Sequence, residues 1–293
     1  MIWITGANGM LAKEFPFFLN KSYKLLLTGR EIDIANIDKL HSFVIEKTKE
    51  ENIDWIINCA AFTDVDKAED EPELCKAVNL KIARNLAICA KQINAKLIQI
   101  STDYVFDGAS NKPYLENDKA SPINIYGQTK LDGEIEIQRQ YDKFYIIRTS
   151  WLYGKYGKSF VSTMLKLMSE TTKLSVVNDQ YGSPTWSFNA AEFISCIINA
   201  TRKKEIPYGI YHFSNDGITT WYGFAKKIYE LAHSMKILKN LCEIVPCSSK
   251  DFPLKAKRPA FSVLDKSKIR NVLTKEIPYW DKSLGEFLKI CAI

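Results

Sequence analysis

The chain opens on an apolar run, Ile2–Thr5, that breaks at once into the glycine-bearing segment GANGMLA over residues 6–12. That junction constrains the fold more than any other feature of the sequence. Glycines at positions 6 and 9 permit a tight turn and let backbone amides approach a pyrophosphate at the N-terminus of a following helix. Ala12 is small enough for that helix to pack closely on its strand. The spacing is GxxGxxA rather than the GxGxxG of the ordinary dinucleotide fingerprint. Its place directly after a strand gives it weight, and it predicts the first strand–helix turn of a nucleotide-binding sheet.

Further apolar runs recur at Lys24–Thr28, Trp55–Asn58, Leu97–Ser101 and Phe144–Thr149, with helix-length segments between them. Short runs without clean alternation read as βαβ units in a buried parallel sheet. Glu73 to Asn94 reads as one helix, with Leu74, Val78, Ile82 and Leu86 at helical spacing, and Tyr126 to Gln140 as another. After residue 150 the pattern changes. Helices are expected over Phe160–Thr171, Phe188–Ala200 and Thr220–His233, strands over Leu174–Val177 and Gly209–Phe213, and a final element over Ser283–Cys291. The lysine-rich segment Val245–Pro259 reads as loop. The expected fold is α/β: a Rossmann-like, doubly wound parallel sheet over residues 1–150, with returns from about 151–205, and a smaller C-terminal substrate-binding lobe within 151–293. At 293 residues and 46% hydrophobic, the chain can fill one large core or two joined ones.

The net charge of +6 invites a nucleic-acid reading, but the basic residues are interspersed with 34 acidic ones and form no stripe. Lys250–Arg258 carries four positive charges and one Asp; it reads as solvated surface or as a local site for a phosphorylated small molecule. Seven cysteines form no CxxC pair, and with His41, His212 and His233 they suggest reduced thiols rather than a metal site. With no basic leader and no apolar run approaching ~20 residues, a cytoplasmic protein without membrane contact is expected.

The chemistry gathers in two short segments. Ser101, Thr102, Asp103 and Tyr104 follow a predicted strand and would project from the carboxyl edge of the sheet, where ligands bind. Tyr126 and Lys130 stand at i and i+4 of a predicted helix and share a face. A phenol with its ordinary pKa near ~10 is a reluctant proton donor or acceptor at neutral pH. A neighbouring ammonium and an oxidised nicotinamide ring would pull it down, so that the tyrosine protonates a carbonyl oxygen as hydride reaches carbon. Lys130 would also hold the nicotinamide ribose, and Thr102 would orient the ketone oxygen. For the cofactor, Arg30 at the end of the second strand favours a 2′-phosphate and hence NADPH, while Glu31 beside it keeps NADH open. Asp33 and Ile34 are expected beside the adenine.

The segments TGANGMLAKE (5–14), INCAAFTDVDKAE (57–69), STDYVFDG (101–108), YGQTKLDGE (126–134), RTSWLYG (148–154), NDQYGSPT (178–185), YHFSNDGITTWYGFA (211–225) and KRP (257–259) resemble the dTDP-4-dehydrorhamnose reductase family, within the extended short-chain dehydrogenase/reductase superfamily. The resemblance spans nearly the whole chain. It implies NAD(P)H-dependent reduction of a dTDP-linked 4-keto-6-deoxyhexose, the last step to dTDP-β-L-rhamnose. It implies Thr102, Tyr126 and Lys130 as the catalytic residues, with Tyr126 the proton donor. Gly6, Asn8, Gly9, Met10 and Leu11 would form the pyrophosphate loop, and Ala60, Ala61 and Thr63 the nicotinamide side. Asp103, Tyr104 and Trp151 would line the sugar pocket.

Cys59 stands where the family usually has alanine. Some members dimerise through a magnesium site built from glutamates; Glu14 matches one of these, but the full set is not found here, so no metal is expected and monomer and homodimer both stay open. A 4,6-dehydratase would want an Asp-Glu pair after the threonine, and Thr102 is followed by Asp103 and Tyr104. Another keto-sugar reductase, or a binding protein resembling the regulatory subunit of methionine adenosyltransferase, are the competing readings.

Overall fold

The structure is a computed structural model and describes residues 1–291. The five apolar runs of the first half form β1 (Ile2–Thr5), β2 (Leu25–Thr28), β3 (Trp55–Asn58), β4 (Lys96–Thr102) and β5 (Phe144–Thr149). Then follow β6 (Leu152–Tyr153), β7 (Lys173–Val177), β8 (Tyr181–Gly182), β9 (Thr185–Trp186), β10 (Gly209–His212), β11 (Thr219–Thr220) and β12 (Glu243–Cys247). Six of these make one parallel sheet in the order β10-β5-β4-β3-β1-β2. The chain steps from β1 outward to β2, then returns past β1 to β3. The order therefore reverses between β1 and β3, and at such a switch point a crevice opens at the carboxyl ends of the strands. The sheet takes its sixth strand from beyond residue 205, because β10 pairs in register with β5.

The helices are α1 (Phe15–Leu19), α2 (Ile37–Glu50), α3 (Val65–Asp70), α4 (Pro72–Lys76), α5 (Ile82–Gln92), α6 (Ile125–Gln140), α7 (Phe160–Glu170), α8 (Ser187–Ala200), α9 (Trp221–Ser234), α10 (Ser267–Leu273) and α11 (Trp280–Cys291). Alternate strand residues feed opposite cores. Ile2, Ile4, Ile57 and Ile98 pack on one face with Phe15 and Leu19 of α1 and Phe193 and Ile197 of α8. Trp3, Ile56, Leu97 and Ile146 pack on the other with Leu40 and Val44 of α2 and Leu86 of α5. Each such side chain contributes roughly 1.5–3 kcal/mol on burial, which is why these strands carry apolar residues on both faces. A third core joins Met164 and Met168 of α7, Phe224 and Ile228 of α9, and Leu284 and Phe287 of α11 around Tyr153 and Trp186.

Three sequence expectations are modified. The helix after the glycine turn does not start cleanly: one 3-10 turn, Ala12–Glu14, precedes α1, where Pro16 restarts the helix in a first turn that needs no N–H from it. The single helix expected over Glu73–Asn94 is α4 and α5 joined through a π turn at Ala77–Lys81. That turn carries Asn79, whose side chain accepts from Phe62 N at 2.9 Å and donates to Phe62 O at 3.1 Å. Finally, the segment read as loop from Val245 begins inside a strand. β12 pairs in parallel with β7, and Pro246 is tolerated because this is a two-stranded sheet with a free edge.

The basic run also resolves. Lys255 pairs with Asp70, and Arg258 pairs with Asp66 at 2.5 Å, so two of its four cations are spent on α3. Six cysteines are free; the side chain of Cys291 lies outside the described residues. Among the described residues no helix is long and apolar enough to cross a membrane.

Candidate active site

The crevice at the switch point is narrow by construction. Gly6 has φ +65°, and a Cβ there would stand 2.6 Å from the amide nitrogen of Ala60, so only glycine allows the ends of β1 and β3 to approach. Beneath it the strands are cross-braced by side chains: Thr5 Oγ1 donates to Asn58 Oδ1 at 2.7 Å, and Asn58 Nδ2 donates to Gln99 Oε1 at 2.7 Å.

A cavity of about 560 Å³ opens above this floor. Its walls include Asn8, Gly9, Met10 and Leu11 from the glycine turn, Ala61 and Thr63 after β3, and Thr102, Asp103 and Tyr104 after β4. Tyr126 and Lys130 from α6 and Trp151 after β5 complete the set. Residues from five separate stretches of chain thus meet in one place. A second cavity of about 440 Å³ is walled by Ala7, Asn8, Lys13, Gly29 and Glu31, among others, at the end of β2.

The α6 residues are held closely. Asn124 caps the helix by accepting from Gly127 N at 2.7 Å, and it donates to Lys257 O at 2.8 Å. A Cβ on Gly127 would collide with the carbonyl of Tyr104, and one on Gly133 would stand 2.5 Å from Asn79 O. The two glycines of YGQTKLDGE therefore let α6 sit against the segment after β4 at Gly127 and against the π turn that carries Asn79 at Gly133. Lys130 is buried, and its Nζ donates to Ile100 O at 2.5 Å. Burial lowers its pKa to about 8, against a smaller upward pull from Glu134 one turn along.

Burial also dominates Tyr126. It pushes the phenol well above its ordinary range, and the Thr102 hydroxyl offsets part of that rise. The expected pull of the Lys130 ammonium is not the controlling influence here, because the ammonium is directed to Ile100 O. The phenol therefore keeps its proton at neutral pH and, as a weaker acid than free tyrosine, gives it up only as negative charge develops on the substrate oxygen. Asp103 is pushed up to about 7 by burial, partly countered by hydrogen bonds from Ser262 and Thr102, and its Oδ2 has no partner. The Tyr104 ring meets the Tyr126 ring edge-on at 5.8 Å.

Comparison with known proteins decides the family. The family model described as RmlD substrate binding domain matches residues 1–293. A dTDP-4-dehydrorhamnose reductase of Aggregatibacter actinomycetemcomitans is 38% identical over 96% of this chain and 96% of its own length. The crystal structure of dTDP-4-dehydrorhamnose reductase from Bacillus anthracis str. Ames in complex with NADP superposes with a TM-score of 0.90 at 38% identity, covering 99% of this chain and 98% of that one. An orthologue from Clostridium acetobutylicum gives 0.90 at 36% identity, covering 100% and 99%.

The chain belongs to the dTDP-4-dehydrorhamnose reductase family.

It is accordingly an enzyme of the NAD(P)H-dependent oxidoreductase class. The residues that the resemblance to dTDP-4-dehydrorhamnose reductases singled out are mostly together. Gly6 and Ala60 shape the crevice through their backbones, and the rest of the turn, the post-β3 pair and the Thr102–Tyr126–Lys130 trio line it. The adenine-side residues are placed otherwise. Arg30 is exposed, and the second cavity is lined by its neighbours Gly29 and Glu31 instead. Asp33 is exposed with Lys39 at 3.8 Å, and the Ile34 side chain is packed in the sheet core. Glu14, the one match to the family's interface glutamates, is buried and accepts from Ser187 Oγ at 2.9 Å. Among the described residues no three His, Cys, Asp or Glu side chains are grouped to hold a metal.

Two aromatic wall residues escaped the sequence reading. Trp221 stacks on Trp151 with centroids 3.6 Å apart and planes 8° from parallel. In sequence it looked like one more apolar position of α9, although the segment YHFSNDGITTWYGFA contains it. Trp151 itself has φ +47°, an unfavourable backbone for an aromatic residue, and Gly182 leaves the space its indole fills. The second missed residue is Tyr156, half-buried on the loop before α7, which borders both cavities.

Proposed function

We propose that this chain reduces the C4 ketone of dTDP-4-dehydro-β-L-rhamnose to dTDP-β-L-rhamnose, with Tyr126 as the proton donor. The observation that carries the reading is geometric: the half-buried Tyr126 phenol lies beside Thr102 in the same cavity as Lys130 and the glycine turn.

The residues fit a nicotinamide dinucleotide. Gly6 clears the approach that a pyrophosphate needs, and the two cavities run from Tyr126 to the end of β2. When bound, the dihydronicotinamide supplies hydride to C4. The protein's part is the proton and the geometry. Thr102 orients the ketone oxygen, and Tyr126 gives its O–H proton to that oxygen as the carbonyl bond opens, leaving an alcohol and a phenolate. The phenolate, next to the Lys130 ammonium, is then reprotonated from solvent. Lys130 has two donors beyond the one given to Ile100 O, enough to hold the nicotinamide ribose. Asp103, Tyr104 and Trp151 form the sugar's walls, the indole offering its face to the ring.

NADPH is the preferred reductant in this reading, with Arg30 as the cation for its 2′-phosphate. NADH serves as well, because the Glu31 carboxylate, accepting from Gly29 N at 2.6 Å, is placed to take a ribose hydroxyl. The test is direct. Purified protein is mixed with NADPH, or with NADH in parallel, and dTDP-4-dehydrorhamnose made in situ. Loss of absorbance at 340 nm with formation of dTDP-rhamnose is expected; no turnover with either reductant overturns the reading in favour of a binding protein.

A further inference from the structure

The two cavities meet at a single crossing. The larger runs from Tyr126 and Lys130 to the glycine turn, and the smaller from Ala7 and Asn8 to Gly29 and Glu31. Among the described residues only Asn8 and Tyr156 border both. A dinucleotide lying along the carboxyl edge of the sheet has one end in each cavity and its pyrophosphate at the glycine turn between them. Asn8 belongs to that turn. Tyr156 does not: it comes from the loop joining β6 to α7, on the far side of the sequence from the nucleotide fingerprint.

The loop around Tyr156 is built asymmetrically. At its root, Gly154 is wedged so closely that an added Cβ would collide with Ser187 and stand 3.2 Å from Met10. At its tip, Gly157 has φ +81° and nothing within 4 Å of where a Cβ would be. A fixed root and an open tip allow the ring to move as a flap. The ring has a cationic neighbour: the Lys13 ammonium stands 5.3 Å from the Tyr156 ring centroid, within cation–π range. Lys13 follows the glycine turn and lines the smaller cavity, so the contact ties the flap to the nucleotide-binding half.

We propose that Tyr156, braced by Lys13, closes over the dinucleotide where it passes from one cavity to the other and so sets how long the cofactor stays bound. The inference rests on the dinucleotide reading above. Neither residue touches the reacting atoms; both act on retention. The aromatic ring supplies the cover and the Lys13 ammonium adds a positive charge at the crossing, where two phosphates would lie.

Cofactor binding is measured without substrate, by fluorescence titration with NADPH and with NADH, and dissociation rates by stopped-flow displacement. The parent protein is compared with Tyr156→Ala, Tyr156→Phe and Lys13→Met, with ligand-free melting temperatures as the control for folding. Tyr156→Ala is expected to release both cofactors about tenfold faster, with Kd raised to match. Tyr156→Phe should stay within about twofold of the parent, since the ring is retained, and Lys13→Met should fall between. A Tyr156→Ala variant that folds and releases cofactor at the parental rate overturns the proposal, as does a Tyr156→Phe variant as defective as Tyr156→Ala. If the parent binds neither cofactor, the reductase reading itself fails, and that outcome is distinct because no variant is needed to see it.

Discussion

Replacing Glu134 by Gln should destabilise the chain sharply, although Glu134 never reaches the cavity. Its carboxylate is buried and accepts from Arg148 Nη2 at 2.7 Å, from Arg148 Nε at 3.0 Å and from Ser101 Oγ at 2.5 Å. The Arg148 side chain is only 3% exposed and that of Glu134 is 0%. The amide of Gln keeps the volume and removes the charge. Arg148 cannot release its proton, and among the described residues it makes no second ion pair; His212 lies 3.4 Å away, but burial and Arg148 itself press its pKa down to about 3, so it is neutral. An uncompensated buried guanidinium costs about 3–5 kcal/mol. At about 2–4 °C per kcal/mol for a large domain, Tm should fall by roughly 6–20 °C. Thermal unfolding followed by circular dichroism reads this, and adding Arg148→Met to the same protein should recover much of the loss. A single variant within about 2 °C of the parent would refute the claim that this pair is an isolated, mutually dependent one.

Two further outcomes follow from the site. Burial lowers Lys130 to about 8, below the ordinary lysine value, so the unfolded chain binds that proton more tightly than the folded one. The resulting cost to stability is present in full below pH 8 and is relieved as pH rises from there through the ordinary lysine range. The same ionisation should bring kcat/KM down above about pH 8, since Tyr126 holds its proton to higher pH; a profile flat to about pH 10 contradicts this. Separately, Gly182→Ala should push the Trp151 indole off Trp221. It should alter the near-ultraviolet circular dichroism and raise KM for the nucleotide sugar, with Kd for NADPH unchanged; an intact Trp signal would count against the packing argument.

Much of the fold was legible because buried parallel strands announce themselves. Ile2–Thr5, Trp55–Asn58 and Phe144–Thr149 fall where the apolar runs predict them, since both faces of the sheet are covered by helices. Thr102, Tyr126 and Lys130 were legible for a related reason: a strand end and an i, i+4 helical pair are local patterns, and the sheet brings them to one edge. What was hidden depends on the third dimension. The direction of the Tyr126 shift is set by desolvation, which no spacing reveals, and Lys130 is engaged by the Ile100 carbonyl rather than by the phenol. Tyr156 and Trp221 reach the cavity only through the packing of the C-terminal half, so each reads in sequence as an ordinary aromatic. The pairing of Lys255 and Arg258 with α3 joins residues more than 180 positions apart, and their run of charge gave no hint of it.

The central claim is that Tyr126 gives the proton to the C4 oxygen, and Tyr126→Phe tests it with the least disturbance. The ring and its edge contact with Tyr104 are retained while the O–H is lost. Single-turnover reduction of dTDP-4-dehydrorhamnose should slow by about 10²–10⁴-fold, the usual worth of a positioned acid, with the Kd of NADPH within about twofold of the parent. A Tyr126→Phe enzyme that reduces the ketone at close to the parental rate would contradict the account.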